Sequence, residues 1–163
     1  MGRWRPPAPT SSPYITQAGY AALQAELKAS WVRRRDVVQA LAAAAAEGDR
    51  SENAEYIYRK KELGGIDRRI RYLQKRLPKL KIIDRSPATD RVYFGAWVEL
   101  ETESGQRVEY RIVGPDEADP SKHAISMDSP LARALLKKTV DDEVELRIDD
   151  ARRSYLVTAI RYA

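Results

Sequence analysis

The sequence has no cysteine and a single histidine, His123. The first absence excludes disulfide frameworks, thiolate nucleophiles and thiolate-ligated zinc. The second leaves no cluster of imidazoles for a metal and no partnered base for a catalytic triad. Long apolar runs are missing too. The longest, Ala40 to Ala46, falls far short of the roughly 20 residues needed to cross a membrane. No charged segment followed by a hydrophobic stretch marks a signal peptide, so the expected location is the cytoplasm, with no membrane partner. Aromatic residues make up only 8% of the chain, but 43% of its 163 residues are hydrophobic and 33% are charged. That composition suits a soluble folded protein of one domain or two small ones.

Lys and Arg number 29 against 24 Asp and Glu, a net charge of +5. The excess is uneven. Up to Arg85 the chain carries 18 basic and 9 acidic residues, and beyond it 11 basic and 15 acidic, so the two parts hold +9 and −4. A basic part is drawn to a polyanion, whereas the acidic part is suited to a different, protein surface.

Residues 1–13 hold Pro6, Pro7, Pro9 and Pro13 without hydrophobic periodicity and read as a flexible tail. Residues 14–85 read as a helical hairpin. Thr16 is placed as an N-cap, and from there to Glu47 only Gly19, near the start, is a poor helix former. Tyr20, Leu23, Leu27, Ser30, Arg34, Val37, Leu41 and Ala44 keep a three-four spacing. The seam is weak around Arg33, Arg34 and Arg35, and its Ala-rich end allows close approach of a second helix. Gly48 can end the first helix in a left-handed conformation, and a second helix is expected to restart at Asp49. Leu63, Ile66, Ile70, Leu73 and Leu77 form a coiled-coil seam that Pro78 terminates. Two such helices make an antiparallel rod about 45 Å long.

Between Arg59 and Lys81 the second helix carries ten basic residues and only two acidic ones, Glu62 and Asp67. Such a stripe attracts a nucleic-acid backbone with an affinity that falls as salt rises. Charge on the outer face of a coiled coil is the competing explanation.

Residues 86–163 change period from three-four to alternation. Strands are expected at Val92–Glu101, Val108–Val113, Ala124–Met127, Glu143–Ile148 and Ser154–Tyr162. Ser129 and Pro130 read as N-cap and first position of a short helix. The fold class is therefore α+β: a coiled-coil hairpin followed by a small antiparallel β domain with one short helix. Nothing here assembles a nucleophile with a base, and His123 reads as a surface or turn residue.

The turn of the hairpin, Gly48-Asp49-Arg50-Ser51-Glu52-Asn53-Ala54-Glu55-Tyr56, places two carboxylates three positions apart. Asp49 and Glu52 can hold one hard cation, weakly unless a second macromolecule completes its coordination. The same spacing is that of a capping box, which needs no metal.

The chain resembles the Gre family of bacterial transcript-cleavage factors, and its GreB branch more than its GreA branch. The likeness rests on that turn segment, on Ile-Asp-Arg-Arg-Ile-Arg-Tyr-Leu at 66–73 and on Phe-Gly-Ala-Trp-Val-Glu at 94–99. Tyr-Arg-Ile-Val-Gly at 110–114 and Ile-Ser-Met-Asp-Ser-Pro-Leu-Ala-Arg-Ala-Leu-Leu-Lys-Lys at 125–138 extend it, so that it spans residues 14–162. The resemblance implies an FKBP-like globular domain docked at the rim of the RNA polymerase secondary channel and a hairpin reaching the polymerase active centre. There Asp49 and Glu52 match the acids that help hold a second Mg²⁺, absent from the free protein, for cleavage of backtracked RNA. Arg50, Ser51, Asn53 and Tyr56 match the rest of the tip motif. Asp128, Ser129 and Pro130 match the polymerase-binding segment, and Arg59, Lys60, Lys61, Arg68 and Arg69 would face the nascent RNA 3′ end. The resemblance thus implies a cofactor of the polymerase's own nuclease, not an enzyme, and because an intramolecular hairpin needs no second copy a monomer is expected.

Three departures from the family pattern stand out: the Pro-rich tail, Pro78, and Asp149-Asp150-Ala151-Arg152-Arg153 in place of a Gly-containing hairpin. Competing functions are a channel-binding regulator without cleavage stimulation, a peptidyl-prolyl isomerase inferred from fold alone, and a coiled-coil scaffold.

Overall fold

The computed structural model describes residues 10–48, 53–83 and 89–162. They divide into two compact units: residues 18–80, and the chain up to Gln17 together with the chain from Lys81 onward.

The first unit is an antiparallel helix pair, α1 (Gln17–Ala46) and α2 (Ala54–Arg76). α1 begins one residue after Thr16, as the cap position predicts. α2 closes where Pro78 requires, in a 3₁₀ turn over Leu77–Lys79. The seam is buried at Leu23, Ile70, Leu73 and Leu77 and again at Val37 and Ala44. Between these stretches, where the apolar pattern thins, ion pairs cross the helices instead: Arg34 to Asp67 at 2.7 Å, Arg69 to Glu26 at 2.7 Å, and Arg33 to Glu62. Rising numbers on α1 meet falling numbers on α2, which fixes the antiparallel sense.

The expectation that the second helix restarts at Asp49 is corrected. Asn53 has extended backbone angles (φ −84°, ψ 98°), and its side chain accepts a hydrogen bond from the Tyr56 amide, so α2 starts at Ala54. The cap belongs to Asn53, and a capping box at Asp49 and Glu52 is not what begins this helix. Asp49, Arg50, Ser51 and Glu52 themselves lie outside the described residues.

The second unit contains a small parallel pair, β1 (Tyr14–Ile15) with β2 (Lys81–Ile82). Its five-stranded sheet is formed by β3 (Trp97–Thr102), β4 (Arg107–Val113), β5 (Ala124–Ser126), β6 (Glu143–Ile148) and β7 (Ala151–Arg161), with α3 (Pro130–Leu135) after β5. The order is β5-β4-β3-β7-β6; every neighbouring pair is antiparallel except β4 with β5, which is parallel. The register of β3 on β7 shifts between Glu99 and Leu100. Thr158 of β7 is the extra residue, and its hydroxyl donates to Glu99 Oε1 at 2.8 Å.

Alternation sends Val98 and Leu100 of β3 inward to meet Ile112, Val144 and Val157, and α3 adds Ala132 and Leu135 to the same core. Trp97 and Glu99 face outward, with the Arg161 guanidinium 4.6 Å from the Trp97 ring centroid. β3 starts later than predicted because Tyr93 to Ala96 form a turn, closed by the Ala96 amide on the Tyr93 carbonyl. β7 starts earlier, at Ala151. Asp149 and Asp150 both adopt positive φ (48° and 64°), which makes a two-residue type I′ turn without glycine and pairs Ile148 with Ala151.

Residues 10–17 form a strap on this unit. Ile15 is fully buried, the Lys81 amide donates to the Pro13 carbonyl at 2.7 Å, and the Thr16 amide donates to Glu117 Oε2 at 2.7 Å. The Thr16 hydroxyl donates to the other oxygen of the same carboxylate. Gly114 allows this close approach, since a β-carbon there would come within 1.9 Å of the Tyr14 carbonyl oxygen. A tail running through residue 13 therefore ends too late, because Ser12 and Pro13 are already held.

Candidate functional site

At the hairpin end the chain reverses between Gly48 and Asn53. Gly48 sits at φ 139°, a conformation that L side chains rarely adopt. Asn53 does two jobs there: its Oδ1 accepts from the Tyr56 amide at 3.1 Å, and its Nδ2 donates to the Ala44 carbonyl at 2.7 Å. One side chain thus satisfies a free donor at the start of α2 and adds a second hydrogen bond to the Ala44 carbonyl near the end of α1, which also accepts from the Glu47 amide at 3.2 Å. Ala44 is 3% exposed. Its small side chain is what allows the helices to approach this closely. Of the expected tip residues, Asn53 and Tyr56 are placed here, whereas Asp49, Arg50, Ser51 and Glu52 lie outside the described residues. Among the described residues no group of three or more His, Cys, Asp or Glu could hold a metal.

The expected RNA-facing cations fall into two groups. Arg59 is engaged by Glu55 at 2.8 Å and Glu62 at 3.0 Å, and hydrogen bonds from its guanidinium to Glu55 and then Glu62 hold its pKa above the ordinary arginine value. Glu62 is in turn held below the usual carboxylate range, first by hydrogen bonding to Arg33, with burial opposing and Arg59 adding to the effect. Arg69 pairs with both oxygens of Glu26, at 2.7 and 2.9 Å, and lowers that carboxyl. Lys60, Lys61 and Arg68 are exposed, and no acidic side chain pairs with them among the described residues. Three of the five expected positions therefore present uncompensated positive charge.

The expected docking segment lies in the turn that leads from β5 into α3. Ser129 caps α3, its hydroxyl accepting from the Ala132 amide at 3.3 Å, and Pro130 is the first helical residue. The Asp128 amide donates to Ser126 Oγ at 3.1 Å. Its carboxylate accepts two hydrogen bonds from Ser12 of the strap, from the amide at 2.9 Å and from the hydroxyl at 2.5 Å. Sequence reasoning missed Ser12, because no local signal links two residues 116 positions apart.

His123 occupies a left-handed position (φ 54°) at the end of a 3₁₀ turn, its ring 6.0 Å from that of Tyr110, as a turn residue should. Among the described residues no helix is long and apolar enough to cross a membrane.

A helical hairpin joined to a small mixed sheet, with both halves carrying family motifs, defines a class of transcription factor. The family model for the N-terminal domain of GreA/GreB transcription elongation factors matches residues 13–82, and that for the C-terminal domain matches residues 87–162. The chain is 58% identical to transcription elongation factor GreB of Xanthomonas axonopodis pv. citri, over 100% of this chain and 99% of the relative. It is 54% identical to GreB of Pseudomonas aeruginosa, over 99% and 98%. Among solved structures, that of the transcription factor Gfh1 is 28% identical, with a TM-score of 0.46 over 94% of this chain and 99% of that one. A GreA/GreB factor from Nitrosomonas europaea is 19% identical, with a TM-score of 0.42 over 93% and 100%. The protein belongs to the GreA/GreB family of transcription elongation factors.

Proposed function

We propose that the protein binds in the secondary channel of RNA polymerase and stimulates the polymerase's own endonucleolytic cleavage of backtracked nascent RNA, so that arrested complexes resume elongation. The observation that carries this reading is Asn53. It caps α2 and bonds the Ala44 carbonyl near the end of α1. The acids at positions 49 and 52 are then not needed to start the helix and remain for chemistry.

A pair of carboxylates suits Mg²⁺, which usually takes one or two protein carboxylates and leaves its other positions to water and phosphate. Asp49 and Glu52 would hold it jointly with the polymerase. When bound, it supplies Lewis-acid stabilisation of the phosphodiester under attack and lowers the pKa of a coordinated water. Lys60, Lys61 and Arg68 draw the displaced RNA 3′ end by phosphate attraction, which is independent of sequence. Asp128, Ser129 and Pro130 dock on the polymerase. The chain performs no bond cleavage alone, and it acts as a cytoplasmic monomer.

The test is transcript cleavage in artificially backtracked complexes, comparing the wild type with an Asp49→Asn, Glu52→Gln double variant whose circular dichroism is recorded alongside. Loss of stimulation with fold and polymerase binding retained supports the reading. Equal stimulation by both removes the metal-holding role, and no stimulation by either makes the protein a channel-binding regulator.

A further inference from the structure

We infer that Ser12 is a positioning residue for polymerase docking: the N-terminal strap orients the Asp128 carboxylate and forms part of the docking surface. The inference rests on the reading of Asp128, Ser129 and Pro130 as the docking segment.

Three observations combine. First, Ser12 donates twice to one carboxylate, from its amide to Oδ2 at 2.9 Å and from its hydroxyl to Oδ1 at 2.5 Å. Two donors on two oxygens fix the plane of the carboxylate as well as its position, as a single bond cannot. Charge-assisted bonds of this kind are about twice as strong as neutral ones.

Second, the strap that carries Ser12 is itself held along its length. The Pro13 carbonyl accepts from Lys81, and Tyr14 and Ile15 pair with Lys81 and Ile82. The Ile83 amide donates to the Ile15 carbonyl at 2.8 Å, and Glu117 accepts from both the amide and the hydroxyl of Thr16. Ser12 is therefore presented by a braced segment.

Third, the backbone beneath Asp128 is fixed independently. Its amide donates to Ser126 Oγ, the Ser129 amide donates to the Ser126 carbonyl at 2.9 Å, and Ser129 caps α3. The Asp128 side chain has its own torsions, and the two hydrogen bonds from Ser12 restrain them. A partner that reads this carboxylate with a cationic or amide donor meets it already oriented, so less side-chain entropy is lost on docking.

The experiment measures the Kd of the full-length protein for RNA polymerase, together with the factor concentration giving half-maximal transcript cleavage. Wild type, Ser12→Ala, Ser12→Thr, Asp128→Ala and the Ser12→Ala, Asp128→Ala double variant are compared, with melting curves for each. Ser12→Ala is expected to raise Kd five- to tenfold, about 1–1.4 kcal/mol. The change should appear in the half-maximal concentration and not in the maximal rate. Ser12→Thr, which keeps the hydroxyl donor, should restore binding.

In the Asp128→Ala background the Ser12→Ala change should have no further effect, because its route is through that carboxylate. Unchanged or tighter binding by Ser12→Ala overturns the inference, as does an effect that persists undiminished without Asp128. If Asp128→Ala weakens binding and Ser12→Ala does not, only the positioning role falls. If Asp128→Ala itself leaves Kd unaltered, the docking reading falls and takes the inference with it.

Discussion

Gly64 and Gly65 stand next to each other in the interior of α2. Glycine in a helix interior costs about 0.8–1.0 kcal/mol relative to alanine, because its backbone loses more freedom on folding. Such a pair is retained where a neighbour must approach closely or where φ is positive. Neither condition holds here. Both residues are helical with no positive φ, and the nearest atoms to an added β-carbon are Arg68 Nη1, 3.4 Å from Gly64, and Arg68 Nη2, 3.8 Å from Gly65. These are ordinary contact distances to the far end of a flexible side chain, so no backbone has to move.

Gly64→Ala with Gly65→Ala should therefore stabilise the helical hairpin by about 1.6–2 kcal/mol. If the hairpin unfolds as its own cooperative unit, that gain raises its melting temperature by about 6–16 °C, at roughly 4–8 °C per kcal/mol for a unit of this size. Thermal unfolding followed at 222 nm reads the hairpin preferentially, since α1 and α2 hold 30 and 23 residues. Single variants should each give about half the shift, with departures from half reporting coupling through Arg68, the neighbour they share. A melting temperature that stays level or falls in the double variant refutes the reasoning and means that the pair serves a contact or a bend that the helix geometry does not express.

Acid should loosen the same hairpin. Glu26 and Glu62 are both held below their ordinary value of 4.5 by arginine partners. A depressed folded-state pKa contributes stability above that ordinary value and loses it as pH falls through the folded value. Hairpin melting should therefore decline below about pH 4.5. Glu62→Gln should melt lower than wild type at pH 7 and converge with it in acid, and 1 M salt should narrow the gap; a constant gap across pH would contradict the assignment. In the sheet, Asp150→Gly should stabilise the turn between β6 and β7 by about 1 kcal/mol, since it relieves a left-handed non-glycine residue. Urea unfolding measures it, and a lowered midpoint would show that the Asp150 side chain contributes more than its backbone costs.

Elements with their own period or punctuation were legible in the sequence. The seam from Leu63 to Leu77, the stop at Pro78, the Ser129-Pro130 start of α3 and the whole of β6 were placed from residue pattern alone. Illegible were elements whose cause lies elsewhere in the chain. β1 and β2 have two residues each, too few for any alternation to register, and they exist because Gly114 and Glu117 accept the strap. The parallel sense of β5 leaves no mark in a pattern that records faces but not directions. The start of α2 was misplaced for a different reason. Asp49 and Glu52 have the spacing of a capping box, and that signature outweighed Asn53, itself among the best N-cap residues and the one that acts.

The basic stripe teaches the complementary lesson about the candidate site. Counting charge along α2 overstates what a polyanion meets, because a linear count cannot know which cations face α1. The spacing of Arg59 from Glu55 and Glu62 is visible as four and three positions, a helical ion-pair arrangement. The partners of Arg69 and Glu62 on α1, however, are set by the antiparallel register. Of the five expected positions Lys60, Lys61 and Arg68 stay exposed without an acidic partner among the described residues, and Arg71, Lys75, Lys79 and Lys81 are exposed farther along the stripe. Arg33, Arg34 and Arg69 do a different job with the same charge: they replace the apolar contacts missing from the middle of the hairpin seam.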